Sequence, residues 1–371
     1  MKIIIGGDVS PINTNHDYFK DNSTLFGDFQ DDFNTSDLNI INLEVPLTDS
    51  NVRITKSGAN LKGPVFAAKS LRDSNIHVAS LANNHIGDFS DNGVVETLEI
   101  CKSNNLLTVG AGVNTDNAKI PLIVNGEYNI GVLSYSDTEF GVAKKERSGV
   151  NPLDMCDVTR DVLKLKEEVD FIIVLLHEGK EHYEYPSPNL QKICRYICDM
   201  GADLVVCQHS HIAGAWEIYN HSNIFYGQGN LMFDYSNRNT NHWKTGYLIQ
   251  VELSDKKAEV QQIPFKQGFP GILKLNKDEE AEFFAKSAKM KNNVVDEIFI
   301  GQSWNKFISK YRLVYFSIFR GHGKWLRKAN SMLGLTNWLY NKKNKAILLN
   351  VIRSRVHREV VVDLLEKEIK N

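Results

Sequence analysis

Five places along the chain put a chemistry-bearing polar residue directly behind a short apolar run. Asp8 follows Ile3–Ile5, Glu44 follows Ile40–Leu43, and Asn83-Asn84-His85 follows His77–Leu81. His177 follows Phe171–Leu176, and His209-Ser210-His211 follows Leu204–Cys207 with Gln208 between. Carboxylate, amide and imidazole donors of this mix suit divalent Mn, Zn, Fe or Mg, whereas a structural zinc site would show clustered thiolates. Each position has an ordinary explanation when taken alone. An Asp behind a strand caps a helix or closes a turn, Asn-Asn-His makes a loop, and His-x-His on a strand puts two imidazoles on one face whatever they do. The joint occurrence carries the argument, because ligands of an open α/β sheet gather at the carboxyl ends of its strands.

The elements that must position these residues are legible as well. The apolar runs named above, with Leu107–Val109 and Ile130–Ser134, are bounded by turn or polar residues, as strands buried on both faces are. Ile224–Tyr226 and Tyr247–Leu253 read as further strands, the second with antiparallel-style alternation. Helical patterns over Pro64–Ser74, Asn92–Asn104, Val158–Glu168 and Pro188–Met200 lie between them. Strands alternating with helices predict a layered α/β fold. The pattern changes around Gly268–Gly271 and is mostly helical from Lys277 onward. Ala346–Glu368 puts Ile347, Leu348, Val351, Ile352, Val360, Val361, Leu364 and Leu365 on one stripe, which predicts an amphipathic helix. Residues 1–270 are therefore expected to form the site-bearing domain, and 271–371 a helical, basic extension.

The chain has 371 residues, 42% hydrophobic and 24% charged, which excludes a disordered or collagen-like chain. Its net charge of −2 conceals a split, since residues 301–371 hold 15 Lys and Arg against four Asp and Glu. Three readings of this segment stay open: a helical appendage packed on the main domain, a surface facing a polyanion, or a docking element for an anionic membrane. The last rests on Tyr311–Phe319, Trp325 and Trp338 lying among Arg312, Arg320, Lys324, Arg327 and Lys328. No nucleic-acid fold signature accompanies the basic residues, so nucleic acid ranks last as a partner. The five cysteines are odd in number and lack Cys-x-x-Cys spacing, as expected of reduced thiols. Cys207 is read as a small apolar residue ending a strand, with a thiolate ligand beside His209 as the alternative. Met1-Lys2 runs straight into the first apolar run without the apolar core of a signal peptide, and no run reaches the roughly 18 apolar residues of a membrane span. The expected location is cytoplasmic, with peripheral attachment at the inner face of the membrane if the basic segment docks there.

The order of the motifs carries a resemblance. Gly7-Asp8, Asn42-Leu43-Glu44, and Ala82-Asn83-Asn84-His85 with Asp88, Gly93 and Thr97 come first. His177-x-Gly179-x-Glu181 with Pro186, Gly201-Ala202-Asp203, His209-x-His211 and Tyr226-Gly227-x-Gly229-Asn230 follow. This series, over about residues 2–253, resembles the CapA family of capsule and poly-γ-glutamate synthesis proteins, a family similar to the calcineurin-like metallophosphoesterases. The resemblance implies a sandwich of two mixed sheets flanked by helices, with one or two metal ions at the sheet edge. It further implies that Asp8, Glu44, Asn84, His177, His209 and His211 are metal ligands. By the same resemblance His85 is the catalytic proton donor, Asp88 orients its ring, and Glu181 stands with them in the catalytic group. Ser10, Asn83, Glu178 and Asn230 would support the ligands or face the substrate.

Two positions depart from the phosphoesterase pattern. Ser10 stands where Asp-x-His has its imidazole, and Glu178 replaces an aromatic residue after His177. The expected activity is metal-assisted hydrolysis or transfer at a phosphoester or a polymer amide, in capsule or exopolymer synthesis, with an anionic polymer or phosphoester as substrate and the basic segment facing the synthesis machinery or a membrane. The two departures support the competing reading, a non-catalytic polymer-binding or assembly protein that keeps the scaffold.

Overall fold

Strands that are apolar on both faces need cover on both sides, and the chain supplies it with a second sheet and with helices. The computed structural model describes residues 1–20, 24–56, 58–234, 240–255, 257–268, 271–311, 315 and 341–370. One sheet holds β1 (Lys2–Ser10), β2 (Leu38–Leu43), β3 (Val78–Ser80) and β4 (Leu107–Val109), a small pair is formed by β5 (Ala111–Gly112) and β8 (Gly149–Val150), and the second sheet contains β6 (Leu122–Val124) and β7 (Ile130–Ser136). The second sheet continues with β9 (Phe171–His177), β10 (Leu204–Gln208), β11 (Trp216–Tyr219) and β12 (Ser222–Phe225), in the order β11-β12-β10-β9-β7-β6. β13 (Asn230–Phe233), β14 (Thr245–Ser254), β15 (Lys257–Gln267) and β16 (Ile272–Lys274) complete the first, ordered β16-β15-β14-β1-β2-β3-β4 with β13 also on β1.

Side-chain alternation along the strands divides the core into layers. Ile3, Ile5, Ile40, Val132, Ile173, Leu175, Val206 and Ile249 interdigitate in one cluster, which is the filling between the two sheets. The alternate residues Ile4, Ile41 and Ala79 pack on helices α1 (Ala67–Asp73) and α2 (Ser90–Ser103). Val174, Leu176 and Val205 pack on α3 (Met155–Leu165) and α4 (Pro188–Met200). The expected mixed two-sheet sandwich flanked by helices is the observed architecture. Helix α4 starts where its sequence says it should: Ser187 accepts from the backbone N–H of Leu190 at 3.1 Å and Pro188 occupies the first turn.

The C-terminal part is helical, as expected, and the described portion packs on the body. β16 lies beyond residue 270 and continues the first sheet by pairing with β15. In α5 (Lys277–Val294) and α6 (Glu297–Ser309), Met290, Val294 and Ile300 join the core beneath the second sheet. The single helix expected over Ala346–Glu368 is instead two, α7 (Lys342–Arg353) and α8 (Arg355–Lys370). Ser354 breaks it with an extended ψ of 129°. Its hydroxyl accepts from the His357 N–H at 3.2 Å and donates to Asp137 at 2.5 Å. Capping and a partner on the body thus outweigh the continuous apolar stripe. Trp304, Ile308, Val351, Val360 and Leu364 then pack together on Tyr183. Of the aromatic–basic stretch read as a membrane element, only Tyr311 and Tyr315 fall among the described residues, and no described helix is long and apolar enough to cross a membrane.

Candidate functional site

Parallel pairing aligns the ends of the strands. Asp8 on β1 is level with Asn42 on β2 and Asn230 on β13, and His177 on β9 is level with Gln208 on β10 and Ser136 on β7. β1 can shift from one neighbour to the next because Gly7 has no side chain: a Cβ there would lie 2.0 Å from the Gly229 carbonyl oxygen. The His-x-His pair follows the strand as expected, β10 ending at Gln208. His209 and His211 lie in the following loop with φ of 85° and 60°, a left-handed conformation that non-glycine residues seldom adopt. That backbone, not strand alternation, turns both imidazoles into the site, and such strained positions are typical of functional loops.

The side chains converge. His177 Nε2 lies 3.0 Å from His209 Nδ1, 3.2 Å from Asn84 Oδ1 and 3.4 Å from Glu44 Oε1. His211 Nδ1 is 3.3 Å from Asp8 Oδ2 and 3.0 Å from Asn230 Oδ1, while its Nε2 is 3.8 Å from Glu44 Oε1. Asn42 donates to Asp8 at 2.7 Å. Glu44, His209 and His211 each offer a ligand atom within 4.8 Å of the others. Both Glu44 carboxylate oxygens are sealed from solvent without a hydrogen-bond donor among the described residues. A buried carboxylate is costly to leave in that state, so an acceptor-only group ringed by imidazoles fits a divalent cation. The charges point the same way. Burial, reinforced by Asp8, pushes the Glu44 carboxyl up to about 8. Burial lowers His177 to about 4 and, with His177 alongside, His209 to about 3, so both offer neutral ring nitrogens. For His211 burial acts downward, but Glu44 and Asp8 outweigh it and raise the imidazole to about 10. Without a cation, the His211 proton thus balances the Asp8 carboxylate 3.3 Å away.

A second group flanks this cluster. His85 Nδ1 lies 2.7 Å from Asp88 Oδ2, and Lys56 Nζ donates to Asp88 Oδ1 at 2.6 Å and lies 3.3 Å from His85 Nδ1. A cavity of about 290 Å³ lies against both groups, lined by Lys56, His85, Glu139, Glu181, His211 and His357 among others. The remaining expected residues differ in placement. Asn230 faces His211, both accepting at its ring and donating to its carbonyl. Asn83 spends its amide on Asn42 and on the backbone of Leu43, His85 and Ile86, so it shapes the loop. The Ser10 hydroxyl and one Glu178 oxygen are buried without a partner among the described residues, and neither residue lines the cavity. Burial, with Asp137 nearby, pushes the Glu178 carboxyl well above the usual range. Cys207 is a free buried thiol whose sulfur lies 3.5 Å from that of Cys194.

Four contributors escape a reading of the five strand ends. Asn42 sits inside its motif but precedes the residue to which the motif draws attention. Glu139 follows β7, and the same strand-end rule applied to that strand would have found it. Lys56 lies in an irregular stretch with no pattern to mark it. His357 sits on a remote helix, and nothing local sets it apart from other exposed-face histidines.

A family model described as bacterial capsule synthesis protein PGA_cap matches residues 2–235. The chain is 31% identical over 251 residues to the PGA biosynthesis protein CapA of Bacillus subtilis, the match covering 65% of each protein. It is 27% identical over 221 residues to the capsule biosynthesis protein CapA of Bacillus anthracis, covering 57% of this chain and 53% of that protein. The matches thus span less than two thirds of the length of these relatives. Among solved structures, a hypothetical protein from Thermus thermophilus aligns with 72% of this chain and 100% of its own, at 14% identity and a TM-score of 0.48.

Proposed function

The chain belongs to the bacterial capsule synthesis PGA_cap family, and from that premise we propose that it is a metal-dependent hydrolase or transferase of capsule or exopolymer synthesis. The proposed reaction takes place at a phosphoester or a polymer amide. The observation that carries this reading is the Glu44 carboxylate, buried without a donor among the described residues and facing His177 and His211. Asp8, Glu44, Asn84, His177, His209 and His211 would hold one or two divalent ions. When bound, such an ion polarises a phosphoryl or carbonyl oxygen and favours attack by water.

The chain's own residues supply the rest. His85, held by Asp88 at Nδ1, can turn Nε2 to a leaving oxygen from the cavity wall and serve there as the general acid. Lys56 neutralises part of the Asp88 charge and ties the loop backbone through the Asn84 carbonyl at 3.0 Å. On the cavity wall His85 is the proton-donating group open to an anionic substrate group, beside the carboxylates of Glu139 and Glu181. A neighbouring cavity of about 620 Å³ has Tyr183, Trp243, Phe307, Lys306 and Lys310 in its lining, which supports room for an adjoining stretch of an anionic chain. The basic 301–371 segment is proposed to face the same polymer, the synthesis machinery or an anionic membrane.

The test is metal analysis of the purified protein joined to a screen of phosphoesters and γ-glutamyl polymer with Mn, Zn and Mg. His209→Ala is expected to lose both bound metal and activity, and unchanged metal content in that variant would sink the assignment. The second reading, a binding or assembly protein, is favoured by Ser10, which leaves the Asp8 side with one imidazole fewer than the phosphoesterase pattern. Wild-type protein that binds metal yet turns over nothing in the screen would establish it over the first.

A further inference from the structure

The amide of Asn84 has two ends, and only its oxygen can serve a cation, so something must hold it the right way round. Its Nδ2 donates to Glu139 Oε2 at 3.0 Å, which leaves Oδ1 3.2 Å from His177 Nε2. Glu139 is an acceptor-only group when ionised, so it fixes this orientation. The other Glu139 oxygen lies 3.0 Å from His357 Nε2, on a helix 218 positions later in the chain. His357 Nδ1 in turn lies 2.5 Å from the Tyr315 hydroxyl. With Tyr315 donating its O–H to Nδ1, the ring turns its Nε2–H toward Glu139. The approach of α8 is pinned at the same place: Ser354 donates to Asp137 Oδ2, the Arg355 N–H donates to Asp137 Oδ1 at 3.0 Å, and Thr138 donates to the Arg353 carbonyl at 2.8 Å. Both His357 and Asn350 line the cavity.

We propose that the C-terminal helices complete the site, with His357 acting through Glu139 as the positioning group that presents the Asn84 oxygen to a bound divalent ion. The proposal rests on the metal-site reading above and extends it to residues outside the family-matched segment. Groups that orient a ligand from behind are worth about tenfold to hundredfold in metal affinity. His357→Ala and Glu139→Gln in the full chain are each expected to weaken binding by about that factor, and the two changes together by little more than either alone, because they interrupt one chain of contacts.

The measurement is calorimetric titration of metal-stripped full-length protein with Mn²⁺ alone, with thermal melting as the check on folding. Tyr315→Phe keeps the ring volume and removes only the hydroxyl, so it tests the same chain mildly and should weaken binding several-fold. Asp363→Asn alters the bond of the Trp304 indole to Asp363 in the same helical layer, away from the cavity, and should bind Mn²⁺ like the wild type. Wild-type protein that takes up Mn²⁺ while folded His357→Ala and Tyr315→Phe bind it equally well would overturn the proposal and leave the metal site standing. Equal weakening by Asp363→Asn would also overturn it, by showing general loosening of the helices. A wild-type chain that takes up no Mn²⁺ would overturn the metal-site reading, and this proposal with it.

Discussion

Lys56 Nζ stands 2.6 Å from Asp88 Oδ1, with only 3% of the Lys56 side chain and none of the Asp88 side chain exposed. Asp88 also accepts from the Leu61 N–H at 2.8 Å and meets His85 at 2.7 Å, so one carboxylate ties the 56–61 stretch to the loop that carries His85. Removing one partner of such a pair strands a buried charge, which costs about 3–5 kcal/mol. Lys56→Met is therefore expected to destabilise the protein by that amount in urea unfolding. A midpoint and slope equal to those of the wild type would show that Asp88 does not depend on Lys56.

Gly7 allows two segments to touch, and the same contact makes it sensitive. A methyl group at this position would meet the Gly229 oxygen at 2.0 Å, and Gly229 has a left-handed φ of 81° that limits how its loop can give way. Gly7→Ala should cost about 1–3 kcal/mol by overpacking and displace Asp8, one residue on. Melting temperature and metal content should fall together, whereas a loss of stability with full metal content would separate the two effects.

Metal removal has a defined signature. A ligand present at about a hundred times its dissociation constant stabilises a fold by about 2.7 kcal/mol. Addition of EDTA to metal-loaded protein should lower the melting temperature accordingly. Glu44→Gln keeps the shape of the buried side chain but removes its charge, so its melting temperature should no longer respond to Mn²⁺ or EDTA. A full EDTA response in that variant would exclude Glu44 as a ligand.

The docking of α8 has a pH dependence of its own. Glu359 accepts from Ser187 Oγ at 2.6 Å and from the Asn189 N–H at 3.0 Å, yet burial pushes its carboxyl up from the ordinary 4.5 to about 7. Between those values the unfolded chain has lost the proton and the folded chain keeps it. Stability therefore falls as pH rises through this window, by at most about 1.4 kcal/mol per pH unit for this group, and levels off above about 7. Urea unfolding at pH 5 and pH 8 should show a smaller loss for Glu359→Gln than for the wild type. Identical losses would show that Glu359 is not the group responsible.

Much of the fold and of the candidate cluster was legible because both follow from local pattern. Ile3–Ile5, Ile40–Leu43, Phe171–Leu176 and Leu204–Val206 announce strands buried on both faces, and in such a sheet the next polar residue falls at the ligand-bearing edge. Ile272–Lys274 was not legible as a strand, since it is three residues long and defined by its pairing with β15. The break at Ser354 was hidden by an apolar stripe that runs through it. Its cause, the contact with Asp137, lies 217 positions away.

The sequence by itself determined which residues stand at the strand ends, because hydrophobic run length and turn residues act within a few positions along the chain. Asp8, Glu44, Asn83-Asn84-His85, His177 and Gln208–His211 follow from that alone, while the choice of ligands among them rests on the family resemblance. Tertiary structure decided what those residues do to one another. It turned His209 and His211 inward through left-handed backbone, which no side-chain periodicity encodes, and it left Glu44 without a donor among the described residues. It also brought Lys56 to Asp88, and His357 to Glu139 behind Asn84. Contacts of this kind depend on how layers pack across hundreds of residues, and no property of either partner's immediate neighbours announces them.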